Sequence, residues 1–141
     1  MKIHIGSDHA GVELKSLIKS HFADNFEFED VGTFTTESVD YPDFAHAVAK
    51  NVLEEEGALG ILICGTGNGM AITANKHAGI RAALCWAPEI AALAKQHNNA
   101  NIIVLPARFI HPDVAISTLT AFFEAEFEGG RHQRRIDKIN I

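Results

Sequence analysis

Apolar residues recur along the chain in short runs, with stretches of helical period between them. Lys2–Ile5, Glu27–Val31, Gly60–Cys64, Ala82–Cys85 and Ile102–Leu105 read as five strands. Within the third, Ile61-Leu62-Ile63-Cys64 is apolar without alternation, as a central parallel strand covered on both faces requires. Val12–Ala23 sets Leu14, Leu17, Ile18 and Phe22 near one helical face. Tyr41–Glu56 repeats Phe44, Ala45, Val48, Ala49, Val52 and Leu53 at i, i+3 and i+4 spacing and stops at Gly57. Met70–Lys76 predicts a shorter helix, and Pro88–His97 opens with Pro88 and Glu89, both favoured in a first turn. Pro112–Phe127 closes the series before Gly129-Gly130.

Strand followed by helix, five times over, predicts an α/β fold. It is a three-layer αβα sandwich around a five-stranded, parallel, Rossmann-like sheet with right-handed connections. Ligands of such sheets sit outside the carboxyl ends of the strands. That directs attention to Gly6–Gly11, Gly32–Asp43, Cys64–Met70, Trp86–Glu89 and Pro106–Pro112, the first and third being the most unusual.

Composition narrows the class. A chain of 141 residues with 47% hydrophobic and 21% charged side chains predicts one domain over 1–141 with a substantial core. A net charge of −6 argues against nucleic acid or an anionic membrane as partner. The charge is uneven: residues 1–128 carry eight basic and seventeen acidic side chains, and residues 129–141 four basic and one acidic. No apolar run is long enough for a membrane span, and the N-terminus enters a strand without a signal-peptide core. Two cysteines are too few for a disulfide framework. The expected location is the cytoplasm.

Cys64-Gly65-Thr66-Gly67-Asn68-Gly69-Met70 joins the central strand to a helix. Its alternating glycines let backbone amides approach a ligand, and a helix N-terminus behind them favours an anion. A tight βα turn without a ligand would use the same glycines. Nucleotide readings fail: Gly69 precedes Met70 rather than the Lys-Ser/Thr of a Walker loop. A dinucleotide fingerprint would need glycine at Met70 and an acidic residue where Cys85-Trp86 stand. A tyrosine-phosphatase-type loop would need arginine near Met70. Cys85 fits a small buried hydrophobe, whereas Cys64 beside the anion nest fits a reactive thiol. His4, His21, His46, His77 and His111 are scattered, with no HExxH motif or Cys/His cluster, so no metal or other cofactor is expected.

Gly6-Ser7-Asp8-His9-Ala10-Gly11, Asp40-Tyr41-Pro42, Cys64-Gly65-Thr66-Gly67, Ala74-Asn75-Lys76, Gly79-Ile80-Arg81, Gln96-His97-Asn98 and Glu128-Gly129-Gly130-Arg131-His132 occur in that order. Together they resemble the type B ribose-5-phosphate isomerases, a family that includes galactose-6-phosphate and allose-6-phosphate isomerases. The resemblance covers essentially the whole chain. It implies a metal-independent aldose–ketose isomerase of the pentose phosphate pathway, working through a cis-enediolate as a homodimer or homotetramer.

By the same resemblance Cys64 is the base at C2, and the backbone of Gly65, Thr66, Gly67, Asn68 and Gly69 holds the enediolate oxygen. The Thr66 hydroxyl helps move a proton. His97 opens the furanose ring, although on its own it also reads as a surface histidine at a helix end. Asp8, Tyr41 and Asn98 face the sugar. His9, Arg108, Arg131 and Arg135 clamp the phosphate, joined by His132, while Arg134 is a solvated charge. Pro106-Ala107 replaces a Gly-Ser pair common in relatives, which puts the local loop geometry before Arg108 in question. Residues 129–141 become a basic tail docking at a subunit interface, so that each active site is shared. The alternatives are a hexose 6-phosphate isomerase and a non-catalytic sugar-phosphate-binding module; the latter has no need of Cys64 or His97.

Overall fold

Strand β1 (Lys2–Ser7) pairs in parallel with β2 (Glu27–Asp30) on one side and β3 (Leu59–Cys64) on the other. Beyond β3 lies β5 (Ile102–Pro106), and β4 (Ala82–Leu84) forms the far edge. The order is therefore β2-β1-β3-β5-β4, all parallel, in a computed structural model that describes residues 1–141.

This order decides where the helices lie. The steps β1→β2 and β4→β5 cross the sheet in one direction, and β2→β3 and β3→β4 in the other. Right-handed connections then place α1 (Val12–His21) and α4 (Pro88–Asn98) on one face. They place α2 (Tyr41–Glu54) and α3 (Asn68–Ala74) on the opposite one. α5 (Pro112–Glu124) follows β5 and packs beside α1 and α4.

Two cores result. Ile61 and Ile63 of β3, with Ile103 and Leu105 of β5, meet Leu14, Ile18, Ala91, Leu119 and Phe122. Leu62, Cys64, Ile102 and Val104 point the other way, to Ala45, Val48, Ala49, Met70 and Ala74. The unbroken apolar run of β3 is thus two alternating sets, one for each face.

The predicted elements are present, with shifted ends. α3 begins at Asn68 rather than Met70, because Gly67 turns the chain at φ +79°. α5 ends at Glu124 rather than Phe127, α1 at His21 rather than Ala23, and α2 at Glu54 rather than Glu56. Leu17 and Leu53, expected on buried faces, are 42% and 46% exposed. The basic tail is more ordered than its composition implies: Arg131–Asp137 forms a helix, α6, that buries His132 and Ile136 and packs on α4. Two residues four apart, one of them a histidine, are its whole buried stripe, too little to read from sequence. No helix is long and apolar enough to cross a membrane.

One buried ion pair secures the segment between β2 and α2. Lys15 of α1 donates to Asp30 Oδ1 at 2.8 Å and to the Thr33 carbonyl at 2.6 Å, while Lys19 reaches Asp30 Oδ2 at 3.0 Å. Burial acts to raise the Asp30 pKa, but hydrogen bonds from Lys15, the Gly32 amide and Lys19 hold it below the ordinary 3.8. A depressed carboxylate stabilises the fold fully above its unfolded value, and that stabilisation is lost as pH falls through the folded one. Asp30→Asn leaves the Lys15 ammonium buried without a counter-charge. It is expected to cost about 3 kcal/mol at neutral pH, read by urea denaturation. The gap to wild type should close in strong acid; a gap independent of pH would contradict this account.

Candidate active site

At the carboxyl edge of the sheet the chain leaves β1 and β3 in opposite directions, and a crevice opens between their loops. The Asp8 amide donates to the Ile63 carbonyl at 3.1 Å, joining the two loops at their base. The Asp8 carboxylate accepts from the Ala10 amide at 2.9 Å and is nearly buried. Next to it, His9 Nδ1 accepts from the Val39 amide at 3.3 Å. Paired 2.8 Å backbone bonds between Ser7 and the Gly32–Thr33 segment sew the approach to α2 onto β1. Sequence reasoning did not single out Lys15, Asp30 or Val39 as supports of this edge; each acts through a contact distant in sequence.

Glycine is required in the Cys64–Met70 loop by close approach. A Cβ on Gly69 would collide with Tyr41 Cε1, so the Tyr41 ring lies directly against the loop. A Cβ on Gly65 would lie 3.1 Å from Arg108 Nη1, which places the guanidinium over the loop. The Arg108 amide donates to the Gly65 carbonyl at 3.0 Å and the Ala107 amide to that of Cys64 at 2.9 Å. Pro106-Ala107 therefore leaves Arg108 folded back: Phe109 closes the turn onto the Pro106 carbonyl at 2.8 Å. Thr66 is exposed, and its hydroxyl accepts from the Asn68 amide at 3.2 Å.

Cys64 lies at the base of the loop, 5% exposed and a free thiol. Burial pushes the Cys85 thiol up to about 12, which fits a packing role for that residue. Trp86 stands 53% exposed in the turn after β4.

The remaining site residues are elsewhere in the same chain. α4 starts at the carboxyl edge and returns antiparallel to the strands; its 11 residues span about 16 Å. His97 and Asn98 therefore arrive at the amino edge, where β4 and β5 begin. Asn98, Arg81, Ala100 and Ile139 line a cavity of about 620 Å³ there. His97 stacks on His132 of α6, with ring centroids 4.2 Å apart and planes within 11°. Glu128 Oε1 stands 3.7 Å from His97 Nε2 and 3.5 Å from His132 Nε2. Arg131 and Arg135 are exposed on α6.

Within one chain His97 and Asn98 do not meet Asp8, Tyr41 or Cys64, as a site shared between subunits would require. Folding gathers His97, Glu128 and His132, whose side-chain polar atoms lie within 4.8 Å of one another. Glu128 was not among the expected site residues; its spacing of four from His132 was the available signal. His132 is buried and stacks on His97.

Residues 3–139 match the ribose/galactose isomerase family. The chain belongs to that family. It is 44% identical over 139 residues to ribose-5-phosphate isomerase B of Escherichia coli, covering 98% of this chain and 93% of the relative. The crystal structure of a ribose 5-phosphate isomerase from Thermotoga maritima superposes with a TM-score of 0.96 at 52% identity, covering 99% of this chain and 97% of that one. Ribose-5-phosphate isomerase B from Mycoplasma genitalium, solved with bound ribulose-5-phosphate, matches with a TM-score of 0.93 at 47% identity, covering 98% and 93%.

Charge at the amino-edge cluster is testable directly. Burial first, then His97, Arg131 and Arg135, lower the His132 pKa from the ordinary 6.5, against an upward pull from Glu128. In a proton NMR titration the His132 ring should titrate below 6.5, and Arg135→Ala should move its midpoint upward by removing a repelling cation. A wild-type midpoint at or above 6.5 would contradict the buried, cation-flanked setting.

Proposed function

We propose that the chain is a ribose-5-phosphate isomerase, interconverting ribose 5-phosphate and ribulose 5-phosphate, with each active site built from two subunits of a homodimer. The observation that carries the reading is Cys64 at the base of a glycine loop whose backbone lies under Arg108. The bound ribulose-5-phosphate of the Mycoplasma genitalium relative supports the substrate.

The reaction needs ring opening, a base, a site for negative oxygen and a phosphate clamp. His97 of one subunit opens the furanose by proton transfer between the ring oxygen and the anomeric hydroxyl. Cys64 of the other subunit, as thiolate, takes the C2 proton of the open aldose. The electron pair left at C2 forms the C1–C2 double bond, and charge moves onto the oxygen at C1. Amides of the Gly65–Gly69 segment stabilise that enediolate, and Thr66 relays the hydroxyl proton between O2 and O1. Return of the Cys64 proton to C1 completes the ketose. No step requires a metal.

His9 and Arg108 grip the phosphate from one side, and Arg131 and Arg135 from the other, arginine supplying a two-pronged donor. Asp8 and Tyr41 meet the sugar hydroxyls from the carboxyl-edge half, and Asn98 from the amino-edge half. The tail, 129–141, then docks at the subunit interface. Two free thiols accord with a cytoplasmic protein, where cysteines stay reduced.

Cys64→Ala should lower turnover of ribose 5-phosphate by about 100-fold or more, with little change in melting temperature. The assay, run with chelator, should include allose 6-phosphate as the hexose alternative. Absence of wild-type turnover on either sugar overturns the reading, and a fully active Cys64→Ala removes the thiol from the chemistry. Mixing inactive Cys64→Ala with inactive Arg135→Ala subunits, followed by exchange, should restore activity. The mixed dimer has one site with both halves intact. No recovery despite demonstrated exchange would place the tail in the same subunit's site.

A further inference from the structure

Arg81 closes a run, Gly79-Ile80-Arg81, that the proposed chemistry leaves without a role. We infer that Arg81 is a positioning residue for the reaction: its guanidinium clamps the end of α4 and so fixes His97, the ring-opening group, and Asn98 beside it.

The last four carbonyls of a helix have no partner within it, and helix ends fray unless something outside takes them. At the end of α4 neighbouring segments supply the donors. The Ala94 and Lys95 carbonyls accept from the Ala100 and Asn99 amides, each at 3.1 Å, and Gln96 accepts from the Glu128 amide at 3.0 Å. Arg81 takes Asn98 and Asn99. Its Nε donates to both carbonyls at 3.0 Å, and its Nη2 to that of Asn99 at 2.9 Å. Asn99 stands at φ +46°, a left-handed turn that lets the two carbonyls converge on one nitrogen. A cation here also meets the negative end of the helix dipole.

Arg81 is itself held firmly. Its amide donates to Asn101 Oδ1 at 2.8 Å, and its carbonyl accepts from the Asn101 amide at 3.1 Å. Asn101 Nδ2 and Arg81 Nη1 both donate to the Gly79 carbonyl, at 2.9 and 3.4 Å. On the other flank Asn75, at the end of α3, pairs with both main-chain groups of Ala82 at 2.8 and 2.9 Å. The clamp is thus anchored at the starts of β4 and β5. All four side-chain hydrogen bonds of Arg81 go to main-chain carbonyls. A planar fork of donors suits that task, for which lysine offers only a single ammonium.

The His97 ring stacks on His132 at 4.2 Å, yet its side chain stays 39% exposed, so its place depends on the backbone that carries it. Misplacing a reacting group by about 1 Å can cost about 100-fold in rate.

The kinetic consequence rests on the ring-opening role proposed for His97; the positioning itself does not, so the two can fail separately. Arg81→Ala, with folding checked by circular dichroism, should lower kcat on ribose 5-phosphate by about tenfold to 100-fold. Arg81→Lys keeps the charge without the fork and should fall between that variant and wild type; it replaces Arg81→Ala throughout should the latter not fold. Adding Arg81→Ala to His97→Ala should slow kcat no further, because a residue acting through His97 then has nothing to act on. Displacement of Asn98, a binding group, enters KM, so kcat is the quantity compared. In proton NMR the His97 ring resonances should shift in Arg81→Ala as the stack on His132 loosens.

With His97→Ala impaired, an unchanged kcat in Arg81→Ala, or losses that multiply in the double variant, overturn the proposal. Unchanged His97 resonances overturn it in any case. With His97→Ala fully active, the ring-opening reading falls instead, and the shift of the His97 resonances decides whether Arg81 positions that residue.

Discussion

A parallel sheet obliges each connecting helix to run back against its strands, and the arrangement of this protein's chemistry depends on that obligation. α4 begins at the carboxyl edge and must deliver the chain to the start of β5 at the amino edge. His97 and Asn98, in its last turn, are therefore carried away from the loops that hold Asp8, His9, Tyr41, Cys64 and Arg108. α4 is about 16 Å long, farther than side-chain motion spans. The same return path brings His97 to α6, so that one chain presents two polar halves, one at each edge of the sheet. Under the proposed mechanism, association of subunits is what assembles the reactive set.

Each half is fixed by a different kind of force. At the carboxyl edge the constraint is steric and hydrogen-bonded. The Tyr41 ring fills the space a Cβ on Gly69 would need, Arg108 lies close over Gly65, and the Gly65 and Cys64 carbonyls are tied to the Arg108 turn. Behind it, the Lys15–Asp30 pair and the Lys15 bond to Thr33 secure the segment leading to Tyr41. At the amino edge the constraint is electrostatic: two stacked imidazoles share one carboxylate beneath exposed arginines.

Much of the fold was legible because its signals are local. The unbroken apolar run Ile61–Cys64 marked the central strand, and Pro88-Glu89 and Gly57 marked helix ends within a few residues. The glycine loop after β3 was legible for the same reason, its three alternating glycines standing directly between a strand and a helix. α6 was not, because its buried stripe is only His132 and Ile136. Leu17 and Leu53 were assigned to buried faces that the packing leaves half open.

By itself, then, the sequence determined the kind of fold, the strand-end loops that carry chemistry and the residue types gathered in them. Each of those follows from backbone propensity and hydrophobic period over a few neighbouring residues. Only the tertiary structure decided which edge each residue occupies. It also decided that Glu128 joins His97 and His132, and that Lys15 is sealed onto Asp30 and Thr33. Those outcomes depend on strand order and crossover direction, which bring together positions far apart in sequence, 35 residues for His97 and His132 and 55 for Asp8 and Ile63.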